Sequence, residues 1–209
     1  MSQQKLNKQR LVTACENLAD RDPRLRVSFE THGPPPLWKR PTGFATLLQI
    51  ILEQQVSLAS AKACFDKLAA RLGGVSPNGV MQLSDAELKS VGFSRQKTSY
   101  ARHLAAAVLE ERINFQALDR LPDTDVKIEL KSLNGIGDWS ADIYLLMAML
   151  RPDVMPKGDL ALHIAWQKLS GEKRPNANEF LQIAERWRPY RSVAARLLWH
   201  SYLCEKRRK

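Results

Sequence analysis

Apolar residues recur along the chain at the three- and four-residue spacing of amphipathic helices almost throughout. The longest strand-like alternation of apolar and polar residues runs only from Leu25 to Phe29. We therefore predict an all-α fold. Helix starts are marked by two pairs with capping-box spacing and by three further N-cap candidates, namely Ser84 with Glu87, Asn176 with Glu179, Ser57, Ser94 and Thr124. Helix ends are marked by Gly73, Gly92 and Gly171.

Two proline-containing segments interrupt the helical pattern and divide the chain. Residues 33–36 read Gly-Pro-Pro-Pro and residues 151–156 contain two further prolines, and neither segment suits a helix interior because proline lacks a backbone donor. They separate a central helical block, residues 41–150, from an N-terminal segment, 1–40, and a C-terminal segment, 151–209.

The charge of the chain indicates a polyanionic partner. The formal net charge is +10, with 8 Lys and Arg against 4 Asp and Glu in residues 1–40, 11 against 12 in residues 41–150, and 13 against 6 in residues 151–209. The excess of positive charge therefore lies in the two terminal segments. No stretch has the roughly 18 uncharged apolar residues of a membrane span, so we expect a soluble, cytoplasmic protein without a membrane partner.

The cysteines argue against several kinds of site. Cys15, Cys64 and Cys204 are odd in number, far apart and outside any CxxC arrangement. This pattern disfavours a disulfide framework, a zinc site and an iron–sulfur cluster, and it fits a reducing compartment.

A glycine-containing turn between two helical segments is the most informative motif. In residues 133–141, Gly135 and Gly137 flank one aliphatic residue, Ile136, between an amphipathic segment (about 125–133) and an apolar one (about 139–150). Such a turn can direct successive backbone N–H groups toward a phosphate at the start of the second helix. The alternative is an ordinary connection between two helices with a glycine C-cap.

Five segments of the chain resemble the helix-hairpin-helix DNA glycosylase superfamily, and within it the 3-methyladenine DNA glycosylase II branch. The segment 133–141 resembles the hairpin, and Gly158-Asp159-Leu160, some twenty residues later, resembles the family's catalytic aspartate at the head of the next helix. Residues 187–199 resemble the closing motif of that branch. Upstream, residues 51–57 resemble the helix and loop that insert a wedge into DNA, and residues 92–100 resemble another family segment.

The resemblance implies an architecture and a catalytic group. The fold would be two helical lobes, residues 41–150 and residues 1–40 with 151–209, with Asp159 in the cleft between them. An ionised carboxylate there would stabilise the positive charge that develops on the deoxyribose as the base departs. The alternative role for Asp159 is a helix N-cap, and both roles can hold together.

The resemblance also implies a pocket for an extruded base. Trp139 and Trp199 match its aromatic positions, and Ile143 and Leu160 match two further positions. Indole faces bind a positively charged alkylated purine, such as 3-methyladenine or 7-methylguanine, by stacking and cation–π attraction. For each tryptophan the alternative is core packing.

Contacts to double-stranded DNA carrying a damaged base are implied in several places. Gln55, with Gln54 beside it, matches the wedge that fills the gap in the duplex, for which the alternative is a simple polar helix end. The hairpin would bind a phosphate through Gly135, Ile136, Gly137 and Ser140. Further candidates for DNA contact or cleft packing are Lys97, Arg191 and Trp38, each with a structural role as its alternative. His163 shares a helical face with Asp159, and an inert histidine is favoured there.

The chemistry implied is that of a monofunctional enzyme. Trp139 occupies the position at which strand-cleaving relatives carry a nucleophilic lysine, so we expect an intact abasic product. No cofactor is expected to be required, although the backbone carbonyls of Lys131, Leu133 and Ile136 match a family site for a structural monovalent cation (Na⁺ or K⁺). We expect a monomer. The alternatives are a non-catalytic helix-hairpin-helix DNA-binding protein, or a glycosylase for a neutral lesion such as hypoxanthine or uracil.

Overall fold

The computed structural model describes residues 5–207, and all regular secondary structure in that range is helical. This confirms the all-α prediction. The α-helices are α1 (Lys8–Arg21), α2 (Pro23–His32), α3 (Phe44–Glu53), α4 (Leu58–Leu72), α5 (Pro77–Gln82), α6 (Asp85–Ser90), α7 (Arg95–Leu109), α8 (Phe115–Leu118), α9 (Asp123–Lys131), α10 (Asp138–Ile143), α11 (Leu160–Ser170), α12 (Ala177–Ala184) and α13 (Arg191–Arg207). A π-helical turn, Tyr144–Ala148, continues α10, and a 3₁₀ turn, Glu185–Trp187, follows α12.

The predicted helix boundaries are largely confirmed. Both capping boxes form, and Ser57 and Ser94 cap α4 and α7. Gly73 and Gly171 end α4 and α11 in the left-handed conformation. The prediction for Thr124 is wrong, because the N-cap of α9 is Pro122, two residues earlier, and the helix begins at Asp123. Proline fixes φ at −59° there, and Asp123 and Asp125 complement the helix dipole in the first turn.

The chain divides into two compact units. One is Arg40–Tyr144, and the other contains the described residues of Met1–Lys39 and Leu145–Lys209. The first boundary lies beside the predicted one, and the second lies at Tyr144, whereas the sequence suggested residue 150.

The unit Arg40–Tyr144 is built around the apolar helix α3. Four of its side chains have no exposed surface, namely Leu47, Leu48, Ile50 and Ile51. This helix packs against α4, α7 and α10, while α7 also packs against α5 and α6. Full burial of such a side chain stabilises a fold by about 1.5–3 kcal/mol, so α3 fixes the helices around it.

The other unit is built around α13, which packs against α1, α2 and α11. Leu11, Cys15 and Leu18 of α1 and Leu25 of α2 are buried, as are Val193, Ala194, Ala195, Leu197 and Leu198 of α13. The small alanines allow neighbouring helices to approach α13 closely. This helix therefore carries its side chains on a well-fixed backbone.

An arginine lies fully buried within the apolar run of α13. The guanidinium of Arg196 donates to three main-chain carbonyls: Nε to Leu37 at 3.1 Å, Nη1 to Ser192 at 3.0 Å and Nη2 to Leu146 at 2.7 Å. Burial lowers the pKa of Arg196 to about 10, which still leaves the side chain charged near neutral pH. Arg196 thus joins three chain segments: residues 33–39, the π-helical turn and α13.

Residues 5–207 contain neither a membrane-spanning helix nor a side-chain metal cluster. Within this range no helix is long and apolar enough to cross a bilayer. Nor do three or more His, Cys, Asp or Glu side chains come together there in a way that could hold a metal ion. The three cysteines are free thiols, and burial raises the pKa of Cys15 to about 12.

We predict that Arg196→Met destabilises the protein by on the order of 3 kcal/mol. The substitution keeps an unbranched side chain but removes the donors of the Leu37 and Leu146 carbonyls, and each unsatisfied buried acceptor costs about 1–3 kcal/mol. Chemical denaturation monitored by circular dichroism measures the change. Arg95→Met, at an exposed position of α7, is the control and should change stability by less than about 0.5 kcal/mol. Equal stability of the two variants would contradict the assigned role of Arg196.

Candidate active site

Asp159 caps the N-terminus of α11. Its Oδ1 accepts a hydrogen bond from the backbone N–H of Leu162 at 3.0 Å, and Gly158 before it has φ of 77°, which favours glycine. The Asp159 side chain is half-buried. The N-cap role that the sequence left open for this residue is therefore present.

The same carboxylate oxygen receives a second hydrogen bond from an indole. Nε1 of Trp199, on α13, donates to Oδ1 of Asp159 at 3.1 Å, and Trp199 is 9% exposed. Two N–H donors on one oxygen fix the plane of the carboxylate. The structure thus brings together two residues that lie 40 positions apart and that the sequence assigned to one site.

Two further aromatic side chains surround this pair. Trp38 lies edge-to-face against Trp199, with ring centroids 6.4 Å apart and an interplanar angle of 75°. His163, one turn after Asp159, is buried and packs on Phe180 at 4.9 Å. Within residues 5–207 its Nε2 has no hydrogen-bond partner, and its pKa is lowered chiefly by burial, with Asp159 opposing and Arg174 adding to the shift. His163 is therefore held neutral.

The predicted hairpin forms between α9 and α10. Its turn is tight, because Gly135 has φ of 86° and a Cβ at this position would collide with the ring of Tyr100. Gly137 is the N-cap of α10 and, as a glycine, has no side chain with which to cap the helix. Ser140 and the side chain of Ile136 are buried. The turn thus requires glycine at position 135, whereas Gly137 has an extended backbone that other residues also adopt.

Two ion pairs connect the helices of the hairpin. Lys131 contacts Asp138 at 2.5 Å, and Lys127 contacts the buried Asp142 at 2.7 Å. Both run from α9 to α10. The sequence analysis did not identify either pair, although opposite charges seven and fifteen residues apart across a predicted turn are a usable signal.

Gln54 and Gln55, which the sequence grouped as wedge residues, lie in different environments. Nε2 of Gln54 donates to the carbonyl of Gly135 at 2.7 Å and to Oγ of Ser140 at 2.8 Å, so this amide holds the hairpin. Gln55 is exposed and has φ of 57°, an uncommon conformation for a residue with a side chain. Of the two, Gln55 has the geometry of a projecting residue.

The end of α3 beside these glutamines is held from two other sides. Nζ of Lys97 donates to the carbonyl of Leu52 at 2.5 Å, and burial lowers the pKa of Lys97. Arg40 makes a bidentate pair with the buried Glu53, with contacts of 3.0 and 2.9 Å. Lys97, predicted as a candidate for DNA contact, therefore has an internal partner in this structure.

The remaining candidate residues differ in exposure. Trp139 is half-buried, Ile143 is 3% exposed, and Leu160 is 59% exposed. Arg191 pairs with Asp153 through two of its nitrogens, at 2.9 and 3.0 Å, and with Glu185 at 2.8 Å. A packing role is present for Ile143 and a structural one for Arg191, while Leu160 offers an apolar surface next to Asp159.

Comparison with known proteins gives consistent matches. The family model described as HhH-GPD superfamily base excision DNA repair protein matches residues 48–189. A putative DNA-3-methyladenine glycosylase from Bacillus subtilis is 25% identical over 186 residues, which are 85% of this chain and 65% of that protein. This chain thus spans slightly less than two thirds of that relative.

Two solved structures share the fold. A DNA-3-methyladenine glycosidase from Bacillus halodurans is 29% identical with a TM-score of 0.77, covering 92% of this chain and 91% of that one. A Schizosaccharomyces pombe 3-methyladenine DNA glycosylase in complex with abasic DNA gives a TM-score of 0.82 at 23% identity, covering 90% and 95% of the two chains. The second likeness concerns the fold alone.

We predict that Gln54→Glu loosens the hairpin. The substitution keeps the size of the side chain but places a carboxylate oxygen against the Gly135 carbonyl, so a hydrogen bond becomes a repulsion. We expect backbone amide hydrogen exchange in residues 134–140 to accelerate about tenfold, which corresponds to about 1.4 kcal/mol of local stability. Gln116→Glu, at an exposed site of α8, introduces the same charge and should leave these amides unchanged. Unchanged exchange in Gln54→Glu would exclude the tethering role.

We predict that His163 makes the protein less stable in mild acid. Because its pKa in the folded state lies below the ordinary 6.5, the unfolded chain takes up a proton first as the pH falls. Stability is therefore present above about pH 6.5 and is lost as the pH falls toward the folded pKa. Urea unfolding at about pH 7.5 and about pH 5.5 should show a smaller decline for His163→Leu than for the wild type. Parallel declines would show that His163 does not carry the effect.

Proposed function

Because the chain belongs to the HhH-GPD superfamily of base excision DNA repair proteins, we propose that it is a DNA glycosylase that excises alkylated purines. Its likeness to DNA-3-methyladenine glycosylases from two Bacillus species supports this substrate class. The single observation that carries the proposal is the Asp159 carboxylate, fixed by the backbone N–H of Leu162 and the indole N–H of Trp199.

Asp159 stabilises charge during hydrolysis of the N-glycosidic bond. The bond between C1′ of the deoxyribose and the purine nitrogen breaks, and its electron pair leaves with the base. The sugar becomes cationic, water adds its oxygen to C1′, and the proton of that water passes to solvent or to a basic group. A carboxylate held in a fixed plane stabilises this cation without having to reorganise.

In this proposal Trp199 recognises the base. A 3-methyladenine or 7-methylguanine base in DNA carries a positive charge, and an indole face attracts a cation by about 0.5–2 kcal/mol depending on desolvation. The nearly buried Trp199 supplies such a face, and the exposed Leu160 supplies apolar contact beside Asp159. The same charge makes the base a good leaving group, so no general acid is required.

Double-stranded DNA is held through the hairpin and the turn after α3. Backbone N–H groups at Gly135–Ser140 would bind a phosphate, and the exposed Gln55 would fill the gap left by the extruded nucleotide. A monovalent cation bound by the carbonyls of Lys131, Leu133 and Ile136 would neutralise part of that phosphate charge. The Leu133 carbonyl accepts the N–H of Ile136 at 3.1 Å and retains a second lone pair for such a cation.

The enzyme is monofunctional in this proposal. Strand cleavage through a Schiff base requires a primary amine at the reacting sugar, and residue 139 is a tryptophan. The product is therefore DNA with an intact abasic site. Strand breaks should appear only after alkali.

The test is a lesion-release assay under single-turnover conditions. We predict that the wild type releases alkylated purine from a duplex with one defined lesion, and that Asp159→Asn slows release at least about a hundredfold. Asparagine keeps an oxygen for the N-cap and the indole, so the loss isolates the charge. Duplexes carrying hypoxanthine or uracil, tested in parallel, assess the alternative of a neutral lesion.

Asp22 provides a matched control for this experiment. It caps α2 by accepting the Arg24 N–H at 3.0 Å, and it accepts the indole N–H of Trp187 at 2.8 Å, as Asp159 does with Trp199. Asp22 is only 3% exposed, so it has no access to a substrate. Asp22→Asn should retain release within about threefold, apart from any change in the folded fraction. Full activity of Asp159→Asn, or no release by the wild type, would refute the proposed function.

A further inference from the structure

Trp38 combines an unfavourable backbone with a specific position. Its φ is 46°, a left-handed value that is an outlier for a bulky side chain. Such conformations persist only where surrounding contacts enforce them, and they concentrate at functional sites. We therefore expect a contact that holds the Trp38 backbone in this conformation, and a functional role for the Trp38 side chain.

Arg196 supplies the enforcing contact. Its Nε donates at 3.1 Å to the carbonyl of Leu37, which belongs to the peptide group directly preceding Trp38. The guanidinium is fully buried and is itself fixed by the carbonyls of Leu146 and Ser192. The peptide plane before Trp38 is thus held by a side chain that has little freedom to move.

The ring of Trp38 is directed onto the indole that contacts Asp159. Trp38 and Trp199 pack edge-to-face, and the Trp38 ring also packs edge-to-face with the ring of His200, with ring centroids 6.4 Å apart. Arg196 and Trp199 lie three residues apart on α13, so one helix carries both the side chain that fixes Trp38 and the ring that Trp38 supports. The contacts form a continuous path: Arg196, Leu37, Trp38, Trp199, Asp159.

We propose that Trp38 is a positioning residue that keeps the Trp199 indole in the orientation required for its hydrogen bond to Asp159. This role of Trp38 rests on the proposed function in one respect, namely that Asp159 is the catalytic carboxylate. Trp38 acts through Trp199 and needs no contact with the substrate. An indole can pivot about its two side-chain torsions, and the edge-to-face contact between Trp38 and Trp199 restricts that movement.

The informative substitution is Trp38→Gly. Glycine adopts φ of 46° without steric cost, so this variant removes the ring and relieves the backbone together. We expect a melting temperature lower than that of the wild type by up to about 10 °C, because the relieved backbone offsets only part of the lost packing. Trp38→Asn, which also tolerates the left-handed region, is the second variant should the glycine variant fold poorly. Trp38→Phe keeps an aromatic ring and is the conservative rescue.

One readout does not depend on activity. Hydrogen exchange of the tryptophan indole N–H groups, followed by NMR on protein with ¹⁵N-labelled tryptophan, reports each indole hydrogen bond separately. We expect Trp38→Gly to accelerate exchange at Trp199 about tenfold and Trp38→Phe to stay near the wild type. Trp187, bonded to Asp22, serves as the internal control and should not change. Unaltered exchange at Trp199 in Trp38→Gly would overturn the proposal even if the protein were not a glycosylase.

The second readout is a double-mutant cycle on lesion release. Trp38→Gly should slow release roughly tenfold to a hundredfold in the wild type, and it should have little further effect in Asp159→Asn, because both changes act on one group. An equal slowing in both backgrounds would show that Trp38 acts independently of Asp159 and would also overturn the proposal. Absence of any release by the wild type would instead count against the proposed function, and the exchange measurement would still decide the role of Trp38.

Discussion

The hydrogen bond from the Trp199 indole to the Asp159 carboxylate is the interaction on which the candidate site depends. It connects the N-cap residue of α11 to the middle of α13, and these two helices pack directly against each other. The bond therefore converts helix packing into the orientation of one carboxylate. Its two supports are different in kind: a backbone N–H fixed by the helix start, and a side-chain N–H that depends on how its own ring is held.

The helical fold could be predicted from the sequence because its signals are local. Capping boxes at Ser84 and Asn176 and the glycine at 171 act within one helical turn, and the structure confirms them. The prediction at Thr124 failed for a local reason as well. Pro122, two residues before Thr124, occupies the N-cap of α9 with φ of −59°, so the helix has already begun when the chain reaches Thr124.

The candidate site could be predicted only as far as its motifs reached. The motifs identified Asp159, Trp199 and the hairpin glycines. In the structure Asp159 and Trp199 are hydrogen-bonded to each other, and the glycines lie in the predicted turn. The sequence could not distinguish the roles of the adjacent Gln54 and Gln55. Which of the two reaches the hairpin depends on a contact between Gln54 and Gly135, which lie 81 residues apart in the chain. Arg196 was missed entirely, although a lone arginine within an apolar helical run is a sequence signal for a buried guanidinium.

Burial decides which of two nearly identical arrangements can be catalytic. Asp22 and Asp159 each begin a helix, each accept a backbone N–H two or three residues ahead, and each accept an indole N–H. Asp22 is 3% exposed and faces a fully buried Trp187, so no sugar can approach it. Asp159 is half-buried beside the exposed Leu160. A capping aspartate with an indole donor is therefore a general structural device, and access to solvent is what makes the second copy available for chemistry.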